Sequence, residues 1–159
     1  IVKAANGIQG NKVFLVESHE QYTESLKQIS GDVLSQEFIK NTGDYRVFII
    51  GNQVHAIFKR VPKPGDFRAN ISQGGNGELV TDESLRNKLE TMSLAIAEDL
   101  QLDITGVDIM KSEETGELNF IEANVNPGWK GLDQALGIRT SEAVADWFMS
   151  VQNGESSAY

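Results

Sequence analysis

Residues able to do chemistry gather in two late stretches of this chain, GVDI at 106–109 and FIEANVNPG at 120–128. A strand alternates faces with a period of two, so Glu122 and Asn124 are expected to share a face with Leu118 and Phe120. The turn-rich KSEETGE between the stretches predicts an antiparallel hairpin centred near Thr115. That centre sets Asp108 directly across from Glu122, with Asn124 one step further along. Like charges facing each other across a strand pair repel unless something positive lies between them. Two carboxylates and an amide oxygen on a rigid hairpin are hard oxygen donors suited to Mg²⁺ or Mn²⁺, which would also hold phosphate oxygens. The plainer alternative is an acidic edge that only keeps the chain soluble. A slip of one residue would put the carboxylates on opposite faces.

The other charged candidates are individually weaker. Lys3 ends a short strand before a Gly-bearing loop and could reach a phosphate, or simply lie exposed. Arg46 and Arg60 stand among apolar residues, and an inward-facing arginine normally meets an anion; a strand-edge charge is the bland reading. Arg68 and Asn70 fall in GDFRAN, where a turn and an Asx motif explain much without a ligand. Gly74-Gly75-Asn76-Gly77 could fold over a phosphate but lacks the Lys-Ser/Thr of a P-loop. His19 belongs to a first helical turn and His55 to mid-strand, and neither is given a role. No nucleophile–base–orienter set suggests a serine hydrolase. With no cysteine, disulfides, thiolate zinc sites and cysteine nucleophiles are excluded.

The elements that must carry these residues can be read in order. Residues 2–4 and 12–17 predict two strands around a Gly loop. Ser18 and Gln21 form a capping box that opens a helix to about Ile29. A strand follows at 33–39, then a hairpin of 44–50 and 53–60 about Gly51-Asn52. Residues 61–80, with two of the three prolines and four of the fifteen glycines, read as a long loop. Leu85, Leu89, Met92, Ile96 and Leu100 form an amphipathic stripe. Strands 104–110 and 118–124 come next, then a last helix capped by Thr140 or Ser141, and a frayed tail. Trp129 could line an acceptor site, though core packing is the simpler role.

Composition limits the function. At 159 residues, 40% hydrophobic and 23% charged, the chain is globular and large enough for a proper core. Its 14 Lys+Arg against 23 Asp+Glu leave a charge of −9, which argues against a nucleic-acid or anionic-membrane surface. No run nears the roughly 20 apolar residues of a membrane span, so the default location is cytoplasmic. The opening IVKAANG has neither initiator Met nor cap, and residues are expected upstream.

Taken in order, Lys3 before Gly-x-Gln-Gly, QEFI at 36–39, Asp44-x-Arg46, GDFRAN, GVDI and EANVNPG resemble the ATP-grasp ligases, and most closely the RimK-type glutamate ligases, over residues 1–150. The resemblance implies an α+β fold of antiparallel or mixed sheets with flanking helices, two lobes around a nucleotide cleft. Residues 1–40 would be part of the small lobe, 41–152 the large lobe and 153–159 a tail, with the family's N-terminal domain absent. It implies that Lys3 contacts the ATP phosphates, Glu37 and Phe38 the adenine edge, Asp44 the ribose, and Arg68 and Asn70 the phosphates and nearby substrate. Asp108, Glu122 and Asn124 would hold Mg²⁺ or Mn²⁺. Arg46, Arg60 and Asn126 would lie toward an acyl phosphate. The implied activity is an ATP-dependent carboxylate–amine ligation, adding glutamate or another amino acid to a peptide or carrier protein. Homo-oligomers are compatible with it. Where RimK-type proteins carry Arg-Gly-Gly after GDFR-x-N, this chain has Gln73-Gly74-Gly75, so the alternative is a nucleotide-binding module that no longer ligates.

Overall fold

The computed structural model describes residues 1–6, 12–63 and 76–155, with Asn76 described by its backbone alone. The chain divides into two compact units, 1–40 and 41–159.

In the first unit, β1 (Val2–Ala4) is the middle strand of a three-stranded antiparallel sheet, between β2 (Val13–Phe14) and β3 (Val33–Ser35). Both flanking strands are shorter than the sequence suggests. Helix α1 (His19–Gln28) opens as expected: Gln21 N–H donates to Ser18 Oγ at 3.2 Å, while Glu17 N–H donates to Gln21 Oε1 at 2.7 Å. The first bond satisfies a backbone donor that a helix start leaves orphaned, and the second returns the Gln21 side chain to the residue before the cap.

The second unit is a five-stranded sheet in the order β6-β5-β4-β7-β8, every neighbouring pair antiparallel. Its strands are β4 (Asp44–Ile50), β5 (Gln53–Val61), β6 (Asn76–Leu79), β7 (Ile104–Lys111) and β8 (Leu118–Asn124). Strand β6 lies where a loop is expected; its Gly-bearing sequence has little strand propensity, and pairing with the edge of β5 decides it. The β4–β5 turn is two residues with positive φ at both Gly51 (+56°) and Asn52 (+58°), which matches the right-handed twist of the strands. Gly51 has a second reason to lack a side chain, since a Cβ there would sit 2.1 Å from Trp147 Nε1.

Alternation along β4 and β7 sends Tyr45, Val47, Ile49, Val107 and Ile109 to one face, against Leu89 and Ala97 of α2 (Glu83–Asp99). The predicted stripe runs one residue too far: Leu100 caps the helix and is half exposed. The other face presents Phe48, Ile50, Ala56 and Phe58 to Leu132 of α3 (Lys130–Leu136) and Val144 and Trp147 of α4 (Thr140–Gln152). Trp129 joins this cluster edge-on to Phe48, so its role is packing. Thr140 does not cap α4. Its hydroxyl donates instead to Asp133 Oδ1 at 2.5 Å and lies 3.3 Å from His55 Nε2. That contact ties the α3–α4 turn to the sheet.

Candidate functional site

The β7–β8 register is the predicted one where the chemistry lies: Gly106 pairs with Asn124, Val107 with Ala123 and Asp108 with Glu122. It then shifts, because Ile109 pairs with Phe120 and Ile121 is an extra residue. A bulge of this kind resets the alternation. The expectation that Glu122 and Asn124 share a face with Leu118 and Phe120 is therefore wrong. Leu118 and Ala123 both pack on the α2 side, which only a break in period between them allows. Glu122 and Asn124 point to the opposite face with Asp108. The signal was present in the sequence as two consecutive apolar residues, Phe120-Ile121, in a half-buried strand.

Beside that pair the sheet carries a network of buried charge. Arg46 lies across from Asp108 on β4, and Arg60 across from Asp44 on β5. Arg46 Nε donates to Asp108 Oδ1 at 2.7 Å and its Nη2 to Oδ2 at 2.6 Å. Arg60 Nη2 donates to the same Oδ2 at 2.7 Å, and Arg60 Nε donates to Asp44. Arg60 thus bridges two carboxylates. The positive partner that relieves Asp108 is a pair of guanidinium groups.

Burial decides how these charges behave. Asp108 is 2% exposed and Arg60 5%, so neither keeps its water shell. Burial works against the Arg60 charge, yet Asp108 and Asp44 outweigh it and raise its pKa above the usual arginine value. Burial pushes the Asp44 carboxyl up, with Arg60 opposing. The carboxylate expected to meet a ribose is thus turned into the sheet, onto Arg60. Arg46 is less enclosed than Arg60, with 15% against 6% of its side chain exposed.

Glu122 is exposed, and Asn124 Nδ2 donates to its Oε1 at 3.0 Å. Among the described residues no three His, Asp or Glu side chains converge into a metal-holding group, so any such set here is two carboxylates and an amide. Its chemistry fits a hard divalent cation. An ionised carboxylate offers about four lone-pair positions, and Arg46 and Arg60 use three on Asp108. Among the described residues, what remains is one position on Oδ1, together with Glu122 and the Asn124 carbonyl oxygen.

Sequence reading overlooked Gly106. A Cβ there would lie 3.1 Å from Pro127 Cβ and 3.5 Å from Arg46 Nε. The bare backbone lets the arginine cross β7 while Pro127 closes over the same spot. Asn126 is exposed in the bend that follows β8. Arg68, Asn70, Gln73, Gly74 and Gly75 lie outside the described residues. In the first unit, Lys3 pairs with Val13 and Leu34 in mid-sheet, and Glu37 and Phe38 are exposed in the segment after β3.

Residues 1–148 match the RimK-like ATP-grasp domain. The chain belongs to that family. It is similar to a probable alpha-L-glutamate ligase 2 of Hahella chejuensis, 36% identical over 160 residues, covering 97% of this chain and 51% of that protein. A probable alpha-L-glutamate ligase of Parasynechococcus marenigrum is 37% identical over 142 residues, covering 86% and 29%. The chain thus spans about half the length, or less, of these relatives. D-alanine–D-alanine ligase from Bacillus anthracis shares the ATP-grasp fold at TM-score 0.68 and 17% identity, over 94% of this chain and 52% of that one. The ATP-grasp ligase PsnB, in complex with precursor peptide PsnA2 and AMPPNP, superposes at TM-score 0.60 and 17% identity, over 84% and 42%. Membership of this family implies use of ATP and a divalent metal. No helix among the described residues is long and apolar enough to cross a membrane.

Proposed function

We propose that this chain is the nucleotide- and metal-binding portion of an ATP-dependent carboxylate–amine ligase, one that adds glutamate or another amino acid to a peptide or carrier protein. The observation that carries the reading is the row Glu122–Asp108–Arg46 on one sheet face, with Asn124 and Arg60 beside it, in a RimK-like ATP-grasp chain. In such a ligation a substrate carboxylate takes the γ-phosphoryl group of ATP and ADP leaves. An amine then displaces phosphate from the acyl phosphate, giving an amide. Both nucleophiles belong to substrates, so the reaction asks for no cysteine or histidine nucleophile from this chain.

The residues divide the work by their chemistry. Asp108, Glu122 and Asn124 would hold Mg²⁺ or Mn²⁺, and the cation would neutralise charge on the phosphate oxygens. Arg46 and Arg60 supply positive charge beside it, where a low dielectric strengthens their effect on an anionic transition state. Asn126, on the bend after β8, would meet the acyl-phosphate side. In the first unit, read as part of the small lobe, Lys3 would serve the phosphates and Glu37 and Phe38 the adenine; residues 41–152 would form the large lobe. Asp44 acts in this account by positioning Arg60, with ribose contact secondary. Arg68 and Asn70 would complete the phosphate contacts.

Gln73, standing where RimK-type proteins carry arginine, favours a second reading: a module that binds nucleotide without ligating. Coupled-enzyme measurement of ADP release separates the two. Ligation predicts release that needs Mg²⁺, L-glutamate and a peptide or carrier-protein acceptor together, and that Glu122→Gln abolishes. Release at background under every acceptor and amino acid, with the nucleotide still bound, would establish the binding module instead.

A further inference from the structure

We propose that Arg46 and the divalent cation compete for Asp108, so that the cation binds by displacing Arg46 and thereby frees its guanidinium. The inference rests on the metal reading of the preceding section and adds to it the state of Arg46 before the cation arrives.

Four observations carry it. Among the described residues Asp108 Oδ1 accepts only from Arg46 Nε, so releasing Arg46 opens that oxygen to a cation. Oδ2 keeps its bond from Arg60 Nη2, so the carboxylate stays aimed when Arg46 leaves. Arg60 is held twice, by Asp44 and Asp108, whereas among the described residues the side-chain bonds of Arg46 go to Asp108 alone. Arg46 is also the more exposed of the two, with 15% of its side chain accessible against 6%. One arginine is thus a fixed brace and the other a removable partner.

The exchange is electrostatically balanced. Asp108 gives up one monovalent partner and gains a divalent one, so its buried charge is never left uncompensated. The departing fork is already shaped for a carboxylate, since it holds one now. It becomes available only once the cation is seated. Cation binding and exposure of the fork are then linked, each favouring the other.

The test measures Mn²⁺ binding to the full chain by the electron paramagnetic resonance signal of free Mn²⁺, without nucleotide. Arg46→Lys keeps the charge but cannot make two parallel bonds. It should bind Mn²⁺ about tenfold more tightly, the worth of one charge-assisted hydrogen bond. Glu122→Gln should weaken binding in the same assay. Unchanged or weaker binding in Arg46→Lys, with Glu122 still required, would overturn the exchange and leave the metal site standing. Indifference to Glu122→Gln would overturn both. Nitrogen-15 NMR of the unmutated chain reads the same event should Arg46→Lys fold poorly. Added Mg²⁺ should speed solvent exchange of the Arg46 Nε–H and leave that of Arg60 unaltered. Equal protection of both before and after Mg²⁺ would contradict the proposal.

Discussion

At one end of the sheet face turned away from α2, Phe48, Ile50, Ala56 and Phe58 of β4 and β5 pack with Leu132 and Trp147; at the other, Asp44, Arg46 and Arg60 of the same strands and Asp108 of β7 carry charge. The apolar end is held by area and fit, and a lost methylene there costs packing. The charged end has no such tolerance. A buried carboxylate keeps its place only while something positive touches it, so its stability depends on pairing. Each end also has a bulge, His55 on β5 and Ile121 on β8. The first aims a ring at Thr140 and fixes the helices; the second turns Glu122 and Asn124 toward Asp108.

Breaking the pairing should produce the largest effect. Arg60→Met leaves Asp44 and Asp108 both short of a partner and should cost about 3–5 kcal/mol in urea unfolding, whereas Arg46→Met, with Arg60 still on Asp108, should cost about half as much or less. Equal losses would mean that the two arginines are not the brace and arm distinguished above. Phe48→Leu at the apolar end should cost about 1–2 kcal/mol through lost volume and lost edge contact with Trp129 and His55. It should leave Mn²⁺ affinity as it was, and a shift in both would show that the two ends are one unit. The smallest effect is in pH. The Asp44 carboxyl is raised above its ordinary 3.8 by burial, so the folded chain retains a proton there that the unfolded chain has lost. Its contribution therefore falls as pH rises above about 3.8 and levels off once the folded group has ionised. The stability difference between wild type and Asp44→Asn should narrow in wild type's disfavour across that interval and then stay constant; a difference that widens in favour of wild type would reverse the assignment.

Much of this was legible in residue order. The Gly51-Asn52 turn fixed one hairpin, and the symmetry of two strands about Thr115 fixed the pairing of Asp108 with Glu122. Pairing and facing are separate matters, however. One extra residue at Ile121 leaves the first intact and reverses the second, and a strict period of two cannot represent it. Helix α3 went unread because it is only seven residues long, although Leu132 and Leu136 stand four apart and Gly137 ends it with φ +67°. The arginines were recognisable as inward charges, but their sharing of Asp108 was not. That depends on three adjacent strands, β5, β4 and β7, drawn from distant parts of the chain.

We propose the charged end of this face as the metal and phosphate end of an ATP-grasp site. Calorimetric titration of the chain with a non-hydrolysable ATP analogue, with and without Mg²⁺, tests it most directly, with Glu122→Ala alongside. Binding should weaken when Mg²⁺ is chelated and again when Glu122 is replaced. Binding of equal strength in all three conditions would contradict it, placing the nucleotide elsewhere than against Asp108, Glu122 and Asn124.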